Sequence, residues 1–278
     1  MTKRDKAQMR SLRMGFAPNA VPLAFIDRGG QPSGVAGDYL RQLRLVGAHL
    51  VNVPAYDWFE VREQARKGEV DVIMGVPNDS AYLGRDWVFS QPFITVPNVI
   101  VVGSDSPAVL GLDDLDGRSI LLSDPDRLRG YVLQRAPNAR IVPARSAEQA
   151  LARLADGDAD AYVGNLAMVD RLVRERYPAQ LHVTAPAGFN DALSLAVRRE
   201  YAPLATTFDR VLVSMTPREH EAIRSDWLAA EYRNELDWRS IARWAVPLAL
   251  VLLTAILVHG WGHWRLRREV AMRRSLEQ

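Results

Sequence analysis

The hydropathy pattern divides the chain in two. From Trp244 to Val258 the residues are apolar except Thr254, and the run extends to Ile241 on one side and Trp264 on the other. A stretch of roughly 20 residues is what a helix needs to cross a bilayer, and core helices rarely run so long without a charge. Trp238 and Trp244 flank one end, Trp261 and Trp264 the other, as aromatic side chains do at the two membrane interfaces. Pro247 falls near the start, where a spanning helix tolerates it. The pattern predicts a transmembrane helix over residues 243–263. Arg265, Arg267, Arg268, Arg273 and Arg274 follow it, whereas Arg233, Arg239 and Arg243 before it are mixed with Glu231, Glu235 and Asp237. The arginine excess marks the C-terminal side as cytoplasmic. Residues 1–240 are then expected in the periplasm and 265–278 inside the cell.

Before the span, short apolar strands alternate with amphipathic helical stretches, which is the signature of α/β architecture. Leu12 to Phe16 reads as a strand, Gly34 to Leu50 as a helix leading into the strand Leu50 to Val53, and Asp57 to Lys67 as a helix closed by Gly68. Val70 to Met74 reads as a buried strand. The second half repeats the arrangement. Ser119 to Leu122 is a strand, and Ser146-Ala147-Glu148-Gln149 opens a helix as a capping box. Ala147, Ala150, Leu151 and Leu154 form that helix's apolar face. It ends at Gly157, and Asp160 to Val163 is the next strand. Gly68, Asp71 and Gly75 are spaced like Gly157, Asp160 and Gly164. The same helix, turn and strand surround both sets, which points to a structural duplication, with the second glycine of each set where backbone can approach a ligand.

Polar crossovers are expected at Gly103 to Pro107 and near Pro186 to Ala192, so that the chain returns to the first lobe for its last helices. Those are Ala202 to Met215 and Pro217 to Leu228, the latter opened by Thr216 as N-cap, Pro217, and Glu219. The organisation read from the sequence is a linker over 1–10, lobe one over 11–104, lobe two over 105–190 and a return over 191–228. A connecting helix over 229–242, the span over 243–263 and a signalling helix from 264 to 278 follow.

Composition adds exclusions. With 48% hydrophobic and 24% charged residues the chain is an ordinary folded protein, and a net charge of +2 offers no nucleic-acid surface. The pI of 9.0 reflects arginines clustered at the two ends. No cysteine is present, which rules out disulfides, thiolate metal sites and cysteine nucleophiles. His259 and His263 share a helix face, but no carboxylate sits nearby as a third ligand, so no metal and no cofactor is expected. The basic, polar residues Met1 to Arg13 are not followed by an apolar stretch of signal-peptide type, so export of the first domain calls for something upstream.

The order of motifs resembles the family-3 periplasmic solute-binding, or Venus flytrap, fold. Leu12 to Phe16, Pro22-Leu23-Ala24-Phe25 and Gly34 to Asp38 are similar to the family's opening, and Trp58 with Gly68 and Asp71 to its W…G-x-x-D block. Phe89-Ser90-Gln91-Pro92-Phe93 resembles the F-S-x-P-[YF] signature. Leu112 to Gly117 resembles the start of lobe two, and Gly157 to Asp160 the second G-x-x-D. Within that family the chain is most similar to the membrane-proximal flytrap of BvgS- and EvgS-type hybrid sensor histidine kinases. Thr216 to Leu228 with its late Trp227 resembles their terminal helix, running into the membrane and an arginine-rich helix. The resemblance implies an α/β two-lobed receptor fragment that is not itself an enzyme, joined in the full protein to PAS and kinase regions. It also implies inner-membrane localisation, a homodimer, and a response regulator as downstream partner.

The resemblance further implies a ligand in the cleft between the lobes. Asn19, Trp58, Asn78 and Phe93 are the candidates from lobe one, and Asp126, Arg127 and Asn165 from lobe two. Trp58 would stack on or wall a ligand, and Arg127 would face a ligand carboxylate. Two positions depart from amino-acid-binding members. Their T-x-x-R is replaced by a longer stretch from Asn78 to Arg85, and Asn165 stands where they carry an aspartate. Both departures argue against a free amino acid and leave a small organic acid, another metabolite, or no ligand. Two other functions stay open: a transporter's solute-binding protein, and a flytrap-fold dehydratase using Asp126 or Asp79 as acid or base. The transporter reading would call for a lipobox cysteine that the chain lacks. For a receptor, residues Ser225 to Trp244 can form one rod, with Leu228, Tyr232 and Leu236 on a face, able to carry lobe motion to the membrane. Residues Arg265 to Gln278 suit either the start of a coiled coil or a lipid-headgroup contact.

Overall fold

The computed structural model describes residues 11–79 and 83–228. The linker over 1–10, the connecting helix over 229–242, the span over 243–263 and the helix over 264–278 lie outside the described residues. Among the described residues no helix is long and apolar enough to cross a membrane.

Strand β1 (Leu12–Phe16) runs parallel between β5 (Leu50–Asn52) and β6 (Val72–Pro77). A small antiparallel sheet of β2 (Asn19–Ala20), β3 (Ala24–Ile26) and β4 (Pro32–Ser33) sits beside them. Helix α1 (Val35–Leu45) buries Val35, Tyr39, Leu40 and Leu43, which is one face at helical spacing. It stops before the expected Leu50, because the chain turns at Gly47 to enter β5. Helix α2 (Trp58–Lys67) opens with Asp57 accepting the Glu60 N–H at 2.9 Å and closes on Gly68 in the left-handed conformation, φ 78°. After β7 (Trp87–Phe89) comes the long β8 (Ile94–Gly103).

Lobe two contains β9 (Ser119–Leu122), α3 (Pro125–Arg135), β10 (Arg140–Pro143), α4 (Ala147–Ala155), β11 (Ala161–Asn165) and α5 (Leu166–Arg176). Strand β12 (Leu181–Arg198) then returns to lobe one, where α6 (Ala202–Ser214) and α7 (Pro217–Trp227) complete the fold. The sheet order is β10-β9-β11-β8-β12-β6-β1-β5, with β7 on β12. The crossovers differ from the sequence expectation. Both occur inside long strands: β8 and β12 pair antiparallel from Ile94↔Leu193 to Leu181↔Gly103, a two-stranded ribbon joining the lobes. Apolar residues of β8 are buried on both lobes' cores, so the strand continues where a polar loop was expected, and Gly103 to Pro107 becomes the turn at its far end. The register of β12 shifts between Pro186 and Asn190, within the second expected crossover.

The repeated G-x-x-D has a structural cause. The Asp71 carboxylate accepts the Arg13 N–H at 3.0 Å, and the Asp71 N–H donates to the Arg13 carbonyl at 2.8 Å. In lobe two the Asp160 carboxylate accepts the Ser119 N–H at 2.8 Å, and its own N–H donates to the Ser119 carbonyl at 3.0 Å. Each aspartate thus fixes the start of its lobe's central strand. Burial opposes ionisation of Asp71, but hydrogen bonds from the Arg13 guanidinium and backbone N–H outweigh it and hold the pKa below the ordinary carboxylate value. Stability from a lowered carboxylate pKa is fully present above the unfolded value of about 3.9 and is lost as pH falls through the folded one. The thermal midpoint of Asp71→Asn is therefore expected to lie below that of the parent at neutral pH. The gap should close as pH drops below about 3.9, and a gap independent of pH would exclude the carboxylate as its source.

Helix α7 opens as expected: Thr216 Oγ1 accepts the Glu219 N–H at 3.3 Å while Glu219 accepts the Thr216 N–H at 2.6 Å. Its side chains clamp α1. His220 Nδ1 lies 2.7 Å from the Tyr39 hydroxyl, Trp227 Nε1 donates to Asp38 at 2.9 Å, and the Trp227 ring meets Phe25 edge-on at 5.6 Å.

Candidate functional site

A cavity of ≈ 140 Å³ lies where the β1–β2 loop, the end of β6 and the start of α2 face the N-termini of α3, α4 and α5. Helix N-termini direct unpaired N–H groups and partial positive charge at such a space. Here two of the three are already capped from within. Ser146 accepts the Gln149 N–H at 3.1 Å, and Gln149 reaches back to the Arg145 N–H at 2.7 Å, one residue earlier than a standard capping box. Asn165 accepts the Ala167 N–H at 3.1 Å. At α3, Asp124 caps nothing through its side chain and instead faces two guanidiniums.

The floor is a buried polar cluster on the hinge. Arg127 Nη1 lies 2.9 Å from Asp191 Oδ1, and the two side chains are only 8% and 7% exposed. Asp191 also accepts Asn98 Nδ2 at 2.8 Å and Asn165 Nδ2 at 2.9 Å. Buried ions lose several kcal/mol of hydration and persist only when fully bonded, which is why one carboxylate collects three donors. Beside it Tyr162 lies within 3.1 Å of the Ser123 hydroxyl, and burial pushes its phenol up to about 12, so it stays protonated. Its ring covers Gly164: a Cβ there would fall 2.3 Å from the Tyr162 oxygen. The second glycine of the lobe-two signature thus makes room for Tyr162.

A latch crosses between the lobes. Arg62, on α2 of lobe one, reaches Asp126 at 3.1 Å and Asp124 at 3.4 Å on lobe two.

Of the residues singled out from the sequence, Asn19, Trp58, Arg127 and Asn165 line the cavity. Asn78 is exposed just beyond Pro77, which lines it, and its N–H bonds the Ala192 carbonyl at 2.8 Å. Phe93 is in the lobe-one core against Tyr39 and Phe208. The Asp126 side chain is 73% exposed and serves the latch. Arg127 meets an internal carboxylate rather than standing free for a ligand's. Arg85, the displaced arginine, is exposed and does not line the cavity. Sequence reasoning missed Arg62, Asn98, Asp124, Tyr162 and Asp191. Asp191 left one signal, a charge at the head of the run Ala192 to Val197, which is apolar except for Ser194.

Residues 12–230 match the family described as bacterial extracellular solute-binding proteins, family 3. Virulence sensor protein BvgS of Bordetella bronchiseptica is 26% identical over 271 residues, an alignment covering 92% of this chain but 21% of that protein. The chain therefore spans only a small part of that relative's length. The crystal structure of the Bordetella pertussis BvgS periplasmic VFT2 domain superposes with a TM-score of 0.70 at 24% identity, covering 81% of this chain and 96% of that one. A crystal structure of a histidine kinase sensor domain with similarity to periplasmic binding proteins gives 0.68 at 26% identity, covering 79% and 96%. The chain belongs to family 3 of the bacterial extracellular solute-binding proteins, with the two-lobed α/β fold of periplasmic binding proteins.

Proposed function

We propose that this chain is the periplasmic sensory region, with its membrane connection, of a transmembrane receptor of the two-component sensor-kinase type, and that the interlobe cavity is its input site. The observation that carries the reading is the reach of the alignment with the Bordetella sensor protein. It covers 92% of the chain, more than residues 12–230 can hold, so it includes residues beyond the flytrap. The geometry supplies a route. Arg62 ties lobe one to lobe two, so its contacts depend on closure. The clamp of His220 and Trp227 on α1 ties the last described helix to lobe one. Closure would then reach residues after 228 through α7. Residues 243–263 would span the inner membrane, the receptor would work as a homodimer, and a response regulator would receive the signal from the kinase. The described segment itself performs no catalysis in this reading.

Loss of the latch tests it. The chain has no cysteine, so Tyr56→Cys and Leu110→Cys, at side chains 90% and 82% exposed on opposite lobes, give a clean spin-label pair. In the full 278-residue chain in lipid nanodiscs, Arg62→Ala should lengthen and broaden the interlobe distance. Charge-assisted hydrogen bonds of about 1.5–3 kcal/mol imply at least about a tenfold gain in the open population. With a kinase region fused after Gln278, the same substitution should change phosphorylation output. An unchanged distance distribution and unchanged output would remove the latch from the mechanism and the receptor reading with it.

A further inference from the structure

The charges lining the cavity decide what it can hold. Among the described residues there, Arg127, Arg145 and Arg171 are balanced by Asp124, Glu148 and Asp191. Arg127 gives its Nη1 to Asp191, and Asp191 is filled by three donors. Neither of these two charges is offered to a ligand, so at the cavity floor a carboxylate would compete with Asp191 for Arg127 and an ammonium would find Asp191 saturated.

Three buried valences are unmet among the lining residues, Asn98 Oδ1, Arg127 Nε and Arg171 Nε, and the first two belong to the Asp191 network. Asn98 is 1% exposed; its Nδ2 is committed to Asp191, which fixes the amide orientation, and its Oδ1 has no hydrogen-bond partner. Arg127 Nε likewise has none, its nearest carboxylate oxygen on Asp124 being 3.7 Å away. Both atoms sit one bond network away from the same Asp191 oxygen, one an acceptor and one a donor. An unmet buried donor or acceptor costs about 1–3 kcal/mol, so a ligand meeting both gains where one meeting neither does not. The remaining walls are mostly apolar, including Ala20, Leu23, Trp58, Met168, Leu172 and Leu193, with Asn19, Ser123, Ser146 and Asn165 among them. A dry cavity of about 150 Å³ holds a benzene, so the ≈ 140 Å³ here suits a ligand of about that size.

We infer that the cleft selects an uncharged small molecule carrying an adjacent donor and acceptor, as in a primary amide or lactam, over the corresponding acid or cation. The inference rests on the reading of the cavity as an input site. A carboxylate supplies only acceptors and an amidinium only donors; the amide supplies an N–H to Asn98 Oδ1 and a carbonyl to Arg127 Nε.

The test uses three probes of one shape: isobutyramide, isobutyrate and isobutyramidine, titrated against the full chain in nanodiscs by ligand-observed NMR. Isobutyramide should bind at least about tenfold more tightly than either charged analogue. Asn98→Ala, which keeps the Arg127–Asp191 pair, should abolish that preference. Asp191→Asn, which releases the Arg127 charge, should invert it towards isobutyrate. Cooperative thermal unfolding of both variants establishes that they fold. Tighter binding of isobutyrate or isobutyramidine to the parent would overturn the inferred ligand class and leave a ligand-binding cleft standing. Silence from all three would overturn the inference as well, while the receptor reading is judged separately by the interlobe distances of Arg62→Ala.

Discussion

Asp191→Ala is expected to destabilise the domain by about 3–5 kcal/mol, the usual cost of leaving one partner of a buried ion pair uncompensated. For a domain of this size, 1 kcal/mol moves the thermal midpoint by about 2–4 °C, so the fall should be roughly 6–20 °C. The substitution strands the Arg127 guanidinium and the amides of Asn98 and Asn165 together. Asp191→Asn keeps an acceptor in place and should cost less. Combining Asp191→Ala with Arg127→Met removes the orphaned charge and should recover part of the loss, leaving the two amides as the remainder. A fall below about 1 kcal/mol for Asp191→Ala would mean that the pair is solvated rather than buried.

This effect is separable from that of Arg62. Asp191 and Asn98 stand on the two hinge strands, and Arg127 and Asn165 on lobe two, so their cluster is expected to persist whether the lobes are open or shut. Arg62 alone among these charges comes from lobe one. Asp191 is therefore read in the unfolding midpoint and Arg62 in the interlobe distance. A flytrap that passes motion to a helix needs both properties: a rigid hinge floor about which the lobes turn, and closure contacts weak enough to be remade.

Much of the fold was legible because it is written in local pattern. Strand β1, helix α2 with its Gly68 cap, and the Thr216 start of α7 each depend on residues within one turn or one alternation. The paired G-x-x-D was visible as a repeat, but its purpose was not, since Asp71 and Asp160 act on strands far back in the chain. The first crossover was read too late in the chain for a related reason. An apolar strand shared by two cores carries no break at the boundary it crosses, so β8 gives no local sign of passing from one lobe to the other, whereas the expected crossover near Pro186 to Ala192 coincides with the register shift of β12. At the site, Trp58, Arg127 and Asn165 could be placed by motif alone. That Arg127 would be neutralised by Asp191 depends on a pairing 64 residues along the chain, which neither spacing nor composition encodes. The expectation that Arg127 faces a ligand carboxylate came from seeing the arginine without its partner.

Phe93→Ala is the second substitution expected to have a large effect, and it bears on the same issue. The F-S-x-P-F motif made Phe93 a candidate for the cleft. In the structure it is 7% exposed, with its ring 4.9 Å from Tyr39 and 6.2 Å, edge-on, from Phe208. Truncating a buried phenylalanine costs about 3–5 kcal/mol through lost transfer energy and the cavity left behind. Tyr39 also holds His220 of α7, so the void would open beneath the clamp that ties the last described helix to lobe one. Phe93→Leu, which keeps most of the volume, should cost under about 1.5 kcal/mol. Chemical denaturation of the three proteins measures the series. Binding of isobutyramide to folded Phe93→Ala should stay within about threefold of the parent, since half a kilocalorie of indirect coupling corresponds to only about a twofold change. If stability were instead unchanged and binding lost, Phe93 would belong to the cleft, and the aromatic cluster joining α1, α6 and the residue before β8 could not be what holds α7 to the lobe.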